Sequence, residues 1–137
     1  MNRRLFIAAL VVLGMHGPAR AQTAPESAFA GHWRQVASNA GECTTCTLTV
    51  SRLDTTYQVV ASNGWTVEVK QLVGLGAALY AGGGYWKRSP PRIDPEGRAA
   101  AHFAVIGEEL HLTLVLTRPD GSPWRIRAVF KREIPVA

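Results

Sequence analysis

Residues 109–117 read ELHLTLVLT, with leucine at every second position. Successive side chains of a β-strand point to opposite faces, so Leu110, Leu112, Leu114 and Leu116 would share one face. Such alternation is typical of a strand with one buried face and one solvated face. The segment Ala100–Ile106 precedes it across Gly107 and Glu108, and we expect the two segments to pair as a hairpin.

The same period of two recurs along the chain, and almost no helical period is present. Trp65, Val67 and Val69 share a face, and the preceding Asn63-Gly64 is a strong two-residue hairpin signal. A glycine run at 82–84 predicts a bulge or a sharp bend within its strand. The predicted strands cover 32–37, 47–53, 57–62, 65–72, 77–87, 100–106, 109–117 and 124–132. About eight strands with mostly short connections predict an all-β fold, either an antiparallel up-and-down barrel or a sandwich.

The first residues predict export from the cytoplasm. Arg3 and Arg4 precede an apolar run, and Ala19-Arg20-Ala21 forms a small-x-small cleavage site. The run Leu5–Met15 is about eleven residues long, whereas a membrane-spanning helix needs roughly twenty. We therefore predict a cleaved signal peptide over 1–21, no membrane span in the mature chain, and a periplasmic or secreted bacterial protein.

The rest of the chain predicts one domain. Residues 22–30 read as a short flexible leader, and residues 31–134 as a single β-barrel domain. Loss of three arginines with the signal peptide lowers the net charge from +5 to about +2. Such a weak positive charge does not favour nucleic acid as a partner.

Cys43 and Cys46 are the only two cysteines in the sequence. An even number of cysteines in an oxidising compartment favours a disulfide, here one that fixes the shape of a single loop. Metal capture and redox catalysis remain open alternatives. Against redox catalysis, Thr47–Val50 reads as a strand, whereas a reactive thiol of this kind needs a helix N-terminus.

A short motif begins the first predicted strand. Gly31-His32-Trp33 resembles the Gly-x-Trp motif of the calycin superfamily, which includes lipocalins, avidins and fatty-acid-binding proteins. The resemblance implies a calycin-like barrel in which an arginine of the last strand packs over this tryptophan. Arg132 has the parity of the inward-facing Trp124 and Phe130, so we expect Trp33 and Arg132 to form that structural pair.

A second, narrower resemblance rests on Cys43-Thr44-Thr45-Cys46 and on Gly84-Tyr85-Trp86. These segments are similar to the lipocalin-like barrel of envelope copper-resistance lipoproteins. This chain lacks the lipid-attachment cysteine of those proteins and the acidic residue between their two cysteines. The resemblance therefore implies a barrel with an exposed cysteine loop, and it does not imply the signalling role.

Aromatic residues supply the candidate ligand contacts. The chain has four tryptophans, and aromatic rings of a small barrel either line a ligand cavity or fill the core. We assign ligand contact to Trp65, Val67, Trp86 and Trp124. No cofactor, metal site or catalytic residue is predicted, since no nucleophile, phosphate-loop or metal-ligand motif is present.

Three functions follow as hypotheses. The first is a non-catalytic binding protein that holds a small apolar or aromatic ligand inside the barrel. The second is a protein-interaction module, either an enzyme inhibitor or an accessory subunit. The third is a metal- or redox-responsive envelope protein that uses Cys43 and Cys46.

The signal peptide gives a direct test by intact mass. We expect the exported protein to begin at Gln22, with or without cyclisation of that residue, because cleavage follows Ala21. Mass spectrometry of a periplasmic extract measures the mature N-terminus. A mature species that retains Arg3 and Arg4 would contradict the assignment.

Overall fold

The computed structural model describes residues 28–73, 78–87 and 91–134. The signal peptide predicted over 1–21 lies outside these residues, as does 22–27 of the predicted leader. The described chain contains no helix long and apolar enough to cross a membrane. Its strands are β1 (Gly31–Ser38), β2 (Thr47–Leu53), β3 (Thr56–Ala61), β4 (Trp65–Gln71), β5 (Ala78–Trp86), β6 (Arg98–Ile106), β7 (Glu109–Thr117) and β8 (Pro123–Arg132).

Each strand pairs with the next in antiparallel orientation, and β8 pairs with β1 to close the sheet. The all-β, antiparallel up-and-down barrel predicted from the sequence is thereby confirmed, and the sandwich alternative is not. Strand ends agree with the prediction to within two residues, because period two and turn residues act together. The Leu110–Leu116 face and the Trp65, Val67 and Val69 face both point into the barrel, where these side chains are buried.

The glycine run at 82–84 forms no bulge between β4 and β5. The two strands stay in continuous register from Trp65 opposite Trp86 to Gln71 opposite Tyr80. A Cβ atom on Gly82 would lie 1.9 Å from the Glu68 carbonyl oxygen, and one on Gly84 would lie 1.9 Å from that of Thr66. No side chain fits at that distance, so glycine permits the close approach of the two backbones.

A bulge occurs instead in β1, opposite β8. The register passes from Gln35 opposite Phe130 to Ala37 opposite Val129, which leaves Val36 as the additional residue. Such an insertion reverses which residues face inward. As a result, Ser38 rather than Ala37 follows Gln35 on the inner side, opposite Ala128.

One end of the barrel is filled by aromatic rings, and we call it the closed end. Phe29 is 0% exposed, and its ring stacks on Tyr80 at a centroid distance of 4.1 Å. Tyr57 and Phe103 also contact it, with centroid distances of 5.3 and 5.2 Å. The sequence predicts a flexible leader over 22–30, whereas the structure packs Phe29 of that segment into the barrel. A lone phenylalanine before the first strand has no periodic pattern to reveal its burial.

Arg132 holds this segment against the barrel. Its guanidinium carbon lies 4.4 Å from the centroid of the Trp33 ring, and Trp33 pairs with Arg132 across β1 and β8. The same guanidinium donates from Nη1 to the Ala30 carbonyl at 2.8 Å and from Nη2 to the Ala28 carbonyl. Trp33 Nε1 donates to the Phe29 carbonyl at 2.9 Å. The side chains of Trp33 and Arg132 therefore fix the backbone that delivers Phe29.

Replacement of Phe29 by alanine tests whether residues 28–30 belong to the packed structure. We expect Phe29→Ala to lower the free energy of unfolding by about 3–5 kcal/mol, because it empties a core position. Urea denaturation followed by circular dichroism measures the change. Val36→Ala, at an exposed position of the same sheet, should stay within about 0.5 kcal/mol. A small effect at both positions would mean that 28–30 is a flexible leader after all.

A second test concerns closure of the barrel. Arg132→Ala removes two hydrogen bonds to carbonyl groups and the packing over Trp33, so we expect a loss of about 1–3 kcal/mol in the free energy of unfolding. Arg125→Ala removes a similar charge from the outer face of β8 and should change stability by only about 0.5 kcal/mol or less. Equal losses at the two arginines would contradict the register of β1 with β8.

Candidate functional site

The other end of the barrel contains a cavity, and we call it the open end. The β1–β2, β3–β4, β5–β6 and β7–β8 connections meet there, because successive strands run in opposite directions. The cavity has a volume of about 330 Å³. Pockets for small ligands typically span about 300–1,000 Å³, so this one lies near the lower limit of that range.

Apolar side chains from five strands form the wall of the cavity. Their inward direction follows from the alternation of each strand, which puts the same parity on the core side. The principal wall residues are Leu48, Trp65, Trp86, Leu112, Ile126 and Phe130. The wall is therefore largely aliphatic and aromatic.

Polar groups surround the mouth. Gln35, Ser38 and Thr47 line it from β1 and β2, and Asn63 lines it from the β3–β4 turn. Glu42, in the β1–β2 connection, is the single charged residue among the described residues that line the cavity. The arrangement gives an apolar interior, a hydrogen-bonding rim and one carboxylate.

Trp65 and Trp86 lie directly opposite each other on β4 and β5. The Trp65 side chain is 3% exposed, whereas Trp86 is half-buried at the rim. Trp86 Nε1 donates to the Asn63 carbonyl at 3.2 Å, which fixes the indole over the turn. Gly64, at a φ of 111°, makes room there, since a Cβ atom on it would lie 3.2 Å from Trp86 Nε1.

The other two predicted ligand contacts lie elsewhere. Val67 is buried in the core and is not part of the cavity lining. Trp124 is half-buried at the open end and lines a separate depression with Arg92 and Arg118. The structure thus brings Trp65 and Trp86 together at the cavity and leaves Val67 and Trp124 outside it. Trp33 and Arg132 lie at the closed end, far along β1 and β8 from the mouth.

Cys43 and Cys46 form a disulfide within the β1–β2 connection, and both line the mouth of the cavity. Further hydrogen bonds hold this connection to β1. The Gln35 N–H donates to the Cys46 carbonyl at 2.9 Å, and Arg34 Nη1 donates to the Thr44 carbonyl at 3.0 Å. The predicted role of the disulfide in shaping one loop agrees with this geometry.

Asn39 anchors the start of the same connection to β8. Its Oδ1 accepts from the Arg127 N–H at 2.9 Å, and its Nδ2 donates to the Arg125 carbonyl at 3.3 Å. A side-chain amide thereby continues the β1–β8 ladder beyond the last residue of β1. The β1–β2 connection, which forms one side of the mouth, is therefore held at its start by Asn39 and near its end by the disulfide.

The β7–β8 turn also lies at the open end. The Ser122 hydroxyl and the Ser122 N–H donate to Asp120 Oδ1 at 2.6 and 2.9 Å. These hydrogen bonds, with a smaller contribution from the charge of Arg118, hold the pKa of the Asp120 carboxyl below its usual value. The turn before Trp124 is therefore ordered by an ionised aspartate.

Most residues of the cavity lining were not assigned to a site from the sequence, and Gln35 and Glu42 are the two of them that matter most for polar contacts. Gln35 has the same parity as Trp33 in β1, so the strand pattern could have placed it inside the barrel. Glu42 lies in a connection without periodicity, and no sequence pattern indicates that it reaches the mouth. Its position depends on how the disulfide-bonded connection folds over the barrel.

Comparison of the chain with family models, with curated proteins and with solved structures gave no match. The closed barrel of eight antiparallel strands is consistent with a calycin-like fold. The resemblance to lipocalins and to copper-resistance lipoproteins remains a prediction from the sequence motifs.

Proposed function

We propose that the cavity at the open end binds a small apolar or aromatic molecule. The observation that carries this proposal is a cavity of about 330 Å³ whose wall includes Trp65 and Trp86. Burial of a ligand there would remove apolar surface from water on both partners, which favours association by about 25 cal/mol per Å² before the entropic costs of binding. A closed β-barrel is compatible with such a role.

The proposed role is non-catalytic and lies outside the bacterial cytoplasm, in the periplasm or the medium. No histidine of the described chain lines the cavity, so its Ser38 and Thr47 hydroxyls have no imidazole base beside them there. The extracytoplasmic location is supported by the Cys43–Cys46 disulfide, because such bonds persist in oxidising compartments. It is also supported by the signal-peptide pattern of residues 1–21.

Tryptophan fluorescence and thermal unfolding test the proposal with a panel of lipids, aromatic compounds and tetrapyrroles. We expect a bound ligand to quench fluorescence and to raise the unfolding temperature, because it binds only the folded state. Trp65→Leu and Trp86→Leu should each weaken binding by about 2- to 10-fold, since an aromatic contact contributes about 0.5–1.5 kcal/mol.

Trp124→Leu is the matched control, because Trp124 lies at the same end of the barrel but outside the cavity lining. The Trp124→Leu variant should bind the ligand with the same affinity as the unmodified protein. An equal loss in all three variants would mean that the ligand does not occupy this cavity. Neither quenching nor a thermal shift across the whole panel would refute ligand binding.

A protein-interaction module is the second candidate, and a cluster of exposed apolar residues at the closed end favours it. Val73 is 95% exposed and Ile134 is 79% exposed. Leu53 and Ile106 are the last residues of β2 and β6. Leu72 and Val73 follow the end of β4, and Ile134 follows the end of β8. Exposed apolar side chains that gather on one part of a surface are typical of contact sites. An inhibitor or accessory subunit would use this end and leave the cavity free.

A further inference from the structure

We infer that the cavity selects organic cations, namely amines that carry an aromatic or compact apolar body. This inference rests on the proposed ligand-binding function and names the chemical class of the ligand. The mouth combines one carboxylate with a free side-chain amide, and the wall below it is aromatic. No cationic residue of the described chain lines the cavity.

The charge of Glu42 is not neutralised by a neighbouring side chain. Its carboxylate forms no ion pair with any described residue, whereas Glu133, Glu96 and Glu109 each have a basic partner. Arg34 donates to a carbonyl of the same connection but is itself paired with Glu133. Glu42 therefore places one unpaired negative charge at the mouth, which attracts a cation and repels an anionic head group.

Gln35 supplies the second polar contact. It faces inward from β1, lies half-buried in the cavity lining, and its amide oxygen accepts no hydrogen bond from a described residue. An ammonium group has only donors, so it matches a carboxylate and an amide carbonyl and leaves neither unsatisfied. A carboxylate ligand would satisfy the amide N–H of Gln35 but would meet the charge of Glu42.

The indoles of Trp65 and Trp86 favour the same class of ligand. The face of an indole attracts a cation within about 6 Å of the ring centroid, and the attraction is stronger where water is partly excluded. The ring also packs against the apolar body of the ligand, as do Leu112 and Phe130 in the wall. An alkyl or aryl amine would use both properties at once.

Three probes with one ring and different charges test the inference: 1-naphthylmethylamine, 1-naphthalenemethanol and 1-naphthoate. Isothermal titration calorimetry at pH 7 and low salt measures their affinities for the mature protein. We expect the amine to bind at least about fivefold more tightly than the naphthoate, because the amine gains one exposed charge pair and a cation–aromatic contact. The affinity of the alcohol should lie between the two. Added salt should reduce the preference.

Glu42→Gln should reduce the preference for the amine over the alcohol to the part that the cation–aromatic contact supplies, and it should leave the affinity of the alcohol unchanged. Glu68→Gln is the matched control, since it removes the same charge from the exposed outer face of β4. Equal affinity for the three probes, tighter binding of naphthoate, or an amine preference that is undiminished in Glu42→Gln would overturn the inference. Failure of the amine to bind a protein that binds a ligand of the larger panel would overturn it too. In each of these cases the proposal of ligand binding would remain. Absence of binding by every member of the larger panel would refute both proposals.

Discussion

The pairing of β1 with β8 is the interaction on which the inner surface of the barrel depends. An open eight-stranded sheet would have two unpaired edges, and its concave face would be wet; closure removes the edges and encloses one face of every strand. Arg132 links three parts of the chain at this seam. Its side chain belongs to the last strand, covers Trp33 of the first strand, and donates to the Ala28 and Ala30 carbonyls of the preceding segment. That segment in turn delivers Phe29 to the interior. Closure of the sheet and closure of one end therefore depend on the same guanidinium group.

The two ends of the barrel differ in packing because their inward-facing residues differ in size and polarity. At the closed end the rings of Phe29, Tyr57, Tyr80 and Phe103 pack against one another. Protein interiors normally pack without voids larger than a water molecule, since unfilled apolar space forfeits dispersion contacts. The apolar wall of the cavity of about 330 Å³ at the open end lacks such contacts on its inner side. Occupation of the cavity by a ligand would recover the missing contacts, which is the physical basis of the proposed function.

The sequence predicted the strands well because each uses a local pattern, and it predicted the site only in part. Leucine alternation and the Asn63-Gly64 turn specify β7 and the β3–β4 hairpin without knowledge of neighbours. The inward parity of Arg132 was readable in the same way. The tryptophans were harder, because parity gives the face of a strand but not the wall of a barrel to which the residue belongs. Trp86 and Trp124 both lie near the open end, yet only Trp86 lines the cavity. That difference depends on the position of each strand around the barrel, which no local sequence pattern specifies.

The bulge in β1 connects the two ends. Residues before it, Trp33 and Gln35, face inward in ordinary alternation, and the additional Val36 then turns Ser38 rather than Ala37 toward the interior. Without the insertion, alternation would put the methyl group of Ala37 in the lining where a hydroxyl now lies. The same strand therefore supplies an apolar anchor at the closed end and hydrogen-bonding groups at the mouth. Asn39 continues the pairing to β8 beyond the bulge, so the polar residues lie on a fixed backbone. A binding site formed by backbone that is paired on both sides needs little reordering when a ligand enters, and more of the contact energy appears as affinity.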